Sequence, residues 1–374
     1  MGRTAMTVAL GFEELGLSEE VLHFLEHDPA FRVVGTATDR PGLTRLVREA
    51  HPATVVGSPA LLAGADGDGA VRLAVSERES IGALRDAIRA GAAGFYRWPE
   101  ERQSLTSDAL RLVRRSEEER FDRGTVVAVY GARGGAGTTF LATHLAAACA
   151  GSGARTCLAD CDPGYADVAA ALGVPPNGPA RTISDLVPVF DELTVQHVDD
   201  VLYEHPRGFR VLLGPADPTE ADAIEPAHVA AAIGVLAGHH DVLVLDVPRS
   251  MDDVARSALG AADHVLLVVT LDVLAFRDAK RAMAFLASLG VDGRVRLIVN
   301  RAARSEVIPE DCERVFGLPP SAVLPEDRAV PTAQNRGELL SGRRHLLTRR
   351  LDRLARELVG ARVGARASGD GAGA

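Results

Sequence analysis

The stretch Val126–Phe140 reads VVAVYGARGGAGTTF. An apolar run suited to a buried strand passes into a loop with glycines at 131, 134, 135 and 137. Two hydroxyl residues, Thr138 and Thr139, then open an apolar helix over Leu141–Ala150. The chemistry open to this pattern is phosphate binding. Glycines let the backbone N–H groups along Gly134, Gly135, Ala136 and Gly137 approach phosphate oxygens, and the helix N-terminus adds a favourable dipole. Thr139 stands where a hydroxyl would coordinate Mg²⁺. The plain alternative is a Gly-rich strand-to-helix turn that holds no ligand. Polar residues close later strand candidates: Asp160 and Asp162 after Thr156–Leu158, Asp246 after Val242–Leu245, and Asn300 with Arg301 after Val295–Val299. A lone aspartate in such a place is more often a helix cap. Their order behind a glycine loop favours a site.

Two sets of elements must carry these residues. Over the first 115 residues, short apolar runs at Thr7–Leu10, Phe31–Val34, Thr54–Val56, Val71–Val75 and Gly94–Tyr96 alternate with helical stretches such as Glu19–Glu26 and Gly42–Glu49. Five strands in that span suggest a small doubly wound parallel sheet. Residues 116–124 are charged and lack an apolar period, which reads as a helix end and linker. From Thr125 to Val359 a longer alternation predicts a second mostly parallel α/β sheet, with Val211–Leu213 and Val265–Val269 as further strands. Residues 360–374 are Gly/Ala-rich and aperiodic, a sequence expected to be disordered.

Length and composition agree with that division. A chain of 374 residues with 47% hydrophobic and 25% charged residues suits about two globular domains. No run of about 18 apolar residues occurs, and the first residues turn acidic too early for a signal peptide. The expectation is a cytoplasmic protein. A net charge of -10 argues against sequence-independent nucleic-acid binding. The four cysteines form no CxxC pair and read as reduced, buried thiols. Lys280 is the only lysine in the chain, so a missing lysine must be judged by what replaced it.

Set against the pattern G-x-x-x-x-G-K-[ST], with Gly137 as the second glycine, the first glycine falls on Ala132 and the lysine on Thr138. The loop and the order of landmarks resemble the MinD/ParA class of P-loop ATPases. That resemblance implies ATP and Mg²⁺ as cofactors and puts Arg133 at the signature lysine. It makes Asp160 and Asp162 the first switch, with Asp160 a further metal ligand and Asp162 positioning the attacking water. It sets Asp246 on Mg²⁺ through water and places Asn300 and Arg301 at the nucleotide, Asn300 on adenine. Arg133 keeps its charge and can bond phosphate bidentately. Thr138 does not, which predicts nucleotide binding without brisk hydrolysis.

Within that class, the loop without lysine, the stretch Asp246-Val247-Pro248-Arg249 with Asp252-Asp253, the helix Arg277–Arg281 and the ending Ala333–Glu338 resemble the CpaE/TadZ family. The family comprises localisation proteins for Flp/tad pilus assembly, and its actinobacterial relatives are labelled septum-site-determining proteins. It carries a receiver-like domain at its N-terminus. Here Gly57 or Ser58 stands where a receiver has its phosphoacceptor aspartate, and Trp98 stands at its lysine. The implied module is a pseudo-receiver for docking or dimerisation.

Three functions follow for comparison. The first is a nucleotide-gated homodimer that positions a pilus-assembly or division machine at a pole or septum. The second is a cycling ATPase, and the third a nucleotide-free scaffold. The last helix poses a separate choice. Leu347, Leu351, Leu354 and Leu358 form a stripe among arginines that include Arg343, Arg344, Arg349, Arg350, Arg353 and Arg356. Peripheral contact with anionic lipid is one use of such a segment. Packing of the stripe on its own domain is the preferred reading, since no Trp or Phe accompanies the leucines.

Overall fold

The computed structural model describes residues 5–63, 70–78, 80–175, 180–340 and 345–359. The chain divides into two compact units, Met1–Asp122 and Arg123–Ala374.

The first unit has five strands: β1 (Met6–Gly11), β2 (Phe31–Ala37), β3 (Thr54–Gly57), β4 (Val71–Ser76) and β5 (Gly94–Arg97). They lie in the order β2-β1-β3-β4-β5, and every pairing is parallel. Alternate residues of β1 supply opposite faces, as a strand's two-residue period requires. Val8 and Leu10 join Phe12, Val21, Leu25, Trp98 and Leu105 beneath helices 15–26 and 102–122. Ala9 joins Leu43, Val47, Val55 and Leu62 beneath helices 40–50 and 59–62. The helix Arg102–Asp122 runs through most of the segment expected to be a linker. Arginine and glutamate are good helix formers, so charge without an apolar period did not end the helix there.

The described residues of the second unit form eight strands. They are β6 (Thr125–Gly131), β7 (Thr156–Asp160), β8 (Tyr203–His205), β9 (Phe209–Leu212), β10 (Val242–Val247), β11 (His264–Val269), β12 (Val295–Ala302) and β13 (Ala322–Pro325). Their order is β13-β12-β11-β6-β10-β7-β9-β8. Among the described residues only the β8–β9 edge hairpin is antiparallel. Strand β6 is buried along its whole length between β10 and β11. Both neighbours come later in the chain, so the order reverses at β6. Ligands of open α/β sheets bind at such a switch point, beyond the carboxyl ends of the strands.

Val126, Ala128 and Tyr130 face one core layer with helices 226–239, 253–261 and 273–288. Val127 and Val129 face the other, with helices 138–151 and 346–359. The leucine stripe of the last helix belongs to this second layer: Leu347, Leu351, Leu354 and Leu358 are all buried there. The lipid alternative is thereby corrected, because the apolar face that would enter a membrane is already packed against helix 138–151 and β13. Arg343, Arg344 and the tail 360–374 lie outside the described residues. Among the described residues no helix is long and apolar enough to cross a membrane.

Candidate functional site

The glycine loop connects β6 to helix 138–151 at the carboxyl end of the sheet. Gly135 and Gly137 have φ of 76° and 97°, a left-handed backbone that side-chain-bearing residues rarely adopt. A Cβ at Gly134 or Gly135 would meet nothing within 4 Å, so the loop presents open backbone to the cleft. At Gly137 a Cβ would collide with the Asn300 amide. That amide donates to the Ala136 carbonyl at 2.8 Å, and Asn300 is buried. Asn300 therefore braces the loop from β12 while its neighbours line the cavities.

A cleft of about 290 Å³ opens over the loop. Arg133, Gly134, Gly135, Gly137, Thr138 and Thr139 line it from the loop side. Asp162 and Asp167 reach it from the loop after β7, Asp246 and Arg249 from β10, and Arg301 from β12. Gln334 also lines it. A second cavity of about 310 Å³ adjoins it and is lined by Phe140, Asn300, Arg301, Pro325, Asp327 and Pro331, among others.

The carboxylates differ in what holds them. Asp246 is 4% exposed, and burial pushes its acid group up to about 7, with Asp162 and Asp167 adding to the rise. A hydrogen bond with the Thr139 side chain opposes that rise. Asp160 is also buried and raised, first by burial and then by the Asp246 charge. Its oxygens accept the N–H groups of Asp162 at 3.0 Å and Val168 at 3.2 Å. Asp160 is not among the residues lining the cleft; it fixes the loop that carries Asp162, where the sequence reading expected a metal ligand. Asp162 is half-buried, raised by burial, and accepts the N–H groups of Gly164 and Tyr165. Arg133 extends from the loop to Asp272, 3.6 Å away, and both side chains are substantially exposed.

Arg133, Gly134, Gly135, Gly137, Thr138, Thr139, Asp162, Asp246 and Arg301 thus converge on one cleft. Ala136 lies buried behind it, and its carbonyl receives Asn300. Asp167, Arg249 and Gln334 join them, beyond the residues that sequence reasoning assigns to the site. Arg249 and Gln334 stand inside stretches that carry the family resemblance, and Asp167 follows Asp162 by five positions. Spacing within the sequence could not show that all three face the same cavity.

A phosphate-bearing ligand with Mg²⁺ fits this donor set. The cradle is open where glycine has no side chain, a helix N-terminus points into the cleft, and a hydroxyl lies beside a buried carboxylate. Among the described residues no cluster of three or more His, Cys, Asp or Glu side chains is arranged to hold a metal unaided.

Fold and site together define a P-loop nucleotide-binding domain. The family model of the CobQ/CobB/MinD/ParA nucleotide binding domain matches residues 127–340, and the chain belongs to that family. Among relatives, the septum site-determining protein MinD of Thermotoga maritima is 27% identical over 246 residues, covering 63% of this chain and 89% of that protein. The antiactivator FleN of Pseudomonas aeruginosa is 32% identical over 180 residues, or 47% of this chain and 61% of FleN. In fold, MinD from Pyrococcus horikoshii, solved with Mg-ADP, superposes with a TM-score of 0.56 at 22% identity, over 63% of this chain and 96% of its own. A ParA family ATPase from Chlorobium tepidum gives 0.57 at 22% identity, over 63% and 98%.

Proposed function

We propose that the protein is an ATP- and Mg²⁺-binding positioning protein, whose two copies close over nucleotide and whose hydrolysis is slow. One observation carries this reading. The cleft keeps the open glycine cradle, the Thr139 hydroxyl and the carboxylates of Asp162 and Asp246, while an uncharged Thr138 lines it at the lysine position. In this reading the amides of Gly134–Gly137 and the helix start bind phosphates. Thr139 and, through water, Asp246 hold Mg²⁺, and Asp162 orients a water molecule. Bound Mg²⁺ supplies positive charge at the phosphates. Loss of one cation at such a centre commonly costs on the order of 10²–10³ in rate.

Arg133 suits an intersubunit role. Its pairing with Asp272 joins two exposed side chains, and such pairs contribute about 0–1 kcal/mol. It can leave Asp272 for a phosphate at little cost. Tyr165, Met251, Val273 and Leu274 are exposed apolar residues close in sequence to Asp162, Arg249 and Asp272. An apolar rim of this kind supports self-association of the cleft face.

The N-terminal unit serves in this reading as a pseudo-receiver that docks a partner. Its strand order 2-1-3-4-5 is that of flavodoxin-like folds. A Cβ at Gly57 would strike the Gly11 carbonyl, so no aspartate side chain fits there. Trp98 is buried at the lysine position and donates Nε1–H to Glu20 at 2.9 Å. The output is placement of an assembly machine, of the division-septum or Flp/tad pilus type that the sequence resemblance implies.

The test is calorimetry of ATP·Mg²⁺ binding paired with light scattering. Binding with dimer formation, weakened by Arg133→Ala while ADP binding persists, is the expected result. Absence of binding at millimolar nucleotide would leave only the constitutive scaffold.

A further inference from the structure

The nucleotide reading leaves one charge unassigned. A P-loop lysine ordinarily meets the β- and γ-phosphates, and Thr138 carries none. Among the described residues three cations line the phosphate cleft: Arg133, Arg249 and Arg301. Arg133 is turned toward Asp272. Arg249 lines this cleft but neither of the two cavities beside it.

Arg301 differs from both. It lines all three cavities around the glycine loop: the phosphate cleft, the adjoining 310 Å³ cavity, and a third of about 300 Å³ beside Arg133 and Asp272. Its backbone has φ of 51°, a left-handed conformation uncommon for a residue with a side chain. Departures of that kind concentrate at ligand clamps and switch regions. The residue before it is Asn300, whose amide is fixed on the loop carbonyl of Ala136. The clamp ties the β12 terminus to the loop, and the left-handed turn starts the Arg301 side chain from that anchored point. Among the described residues Arg301 makes no ion pair, so its guanidinium is uncommitted.

We infer that Arg301 supplies, from the same subunit, the phosphate-binding charge that Thr138 cannot. The inference rests on the nucleotide reading above and names the residue that makes binding possible without the lysine. A guanidinium is planar, permanently charged and able to hold two phosphate oxygens at once. It is also fixed to a strand end, whereas a P-loop lysine rises from the helix start beneath the phosphates. Arg301 thus suits ground-state binding better than following a transferring phosphoryl group.

The experiment titrates the full chain with ADP·Mg²⁺ by calorimetry. Arg301→Gln, which removes the charge but keeps a polar head on a shorter stem, is expected to weaken ADP by about tenfold, the worth of one charged phosphate contact. Arg301→Lys should recover most of that loss. Adding Thr138→Lys to Arg301→Gln should return affinity to within about threefold of wild type, because the charge re-enters by another route. Circular dichroism melts check that each variant folds. Wild-type affinity in Arg301→Gln would overturn the inference, as would a failure of Thr138→Lys to rescue it. A loss seen in Arg249→Gln instead would move the role to Arg249. If the wild-type chain binds no ADP, the nucleotide reading itself fails, an outcome separate from these.

Discussion

The two units of this chain share a plan, a parallel sheet with helices on both faces, and treat the carboxyl ends of their strands in opposite ways. In the second unit those ends stay open: Gly134 and Gly135 face empty space, and Asp162, Asp246 and Arg301 line a cleft. In the first unit two positions of the same region are packed instead. Gly57 lies against the Gly11 backbone, and Trp98 fills the core beside Phe24 with its ring centroid 5.5 Å away. The contrast teaches that glycine at a strand end has two uses. Where a Cβ would meet nothing, glycine exposes backbone to a ligand; where it would meet backbone, glycine permits close packing and leaves no site.

The largest effect that sharpens this contrast is expected at Trp98. Trp98→Ala removes a buried aromatic ring and its hydrogen bond to Glu20, and should destabilise the first unit by about 3–5 kcal/mol. Urea unfolding followed by circular dichroism reads the loss, and nucleotide affinity should stay unchanged. Next comes a pair of glycines. Gly57→Ala should cost about 1–3 kcal/mol through overpacking. Gly134→Ala should leave stability within about 0.5 kcal/mol while weakening nucleotide binding. Equal effects on stability would break the comparison.

A further effect, confined to the second unit, is a pH dependence. The acid group of Asp246 lies near 7 in the folded chain, against 3.8 for an unperturbed aspartate. Between those values the folded chain retains a proton that the unfolded chain has released. Stability of the ligand-free protein should therefore fall as pH rises from about 4 to about 7. Thermal melts of Asp246→Asn should show a flatter slope over that range, with the remainder due to Asp160, which is raised as well.

Much of the fold was legible because buried parallel strands are continuous apolar runs. Val126–Tyr130 lies within β6, and Val242–Leu245 within β10. The edges were less so. β8 (Tyr203–His205) is three residues with a central exposed glutamate, and β13 is four residues ending in proline, too short for a period to register. The candidate site was legible where one local stretch carries it, from Arg133 to Thr139. Contacts across long separations left no local pattern. Asn300 reaches the loop carbonyl of a residue 164 positions earlier, and Gln334 meets Thr139 only through the cleft they share. The length of helix 102–122 was hidden by a related limit, since a charged helix end and a charged linker look alike where no apolar period marks them.

The measurement that bears most directly on the central claim is steady-state phosphate release by the wild-type chain saturated with ATP·Mg²⁺, beside Thr138→Lys and Asp162→Ala. The account predicts slow release from wild type and a rise in Thr138→Lys, as the missing charge returns to the phosphates. Brisk release from wild type that Asp162→Ala abolishes would contradict it and show a cycling ATPase.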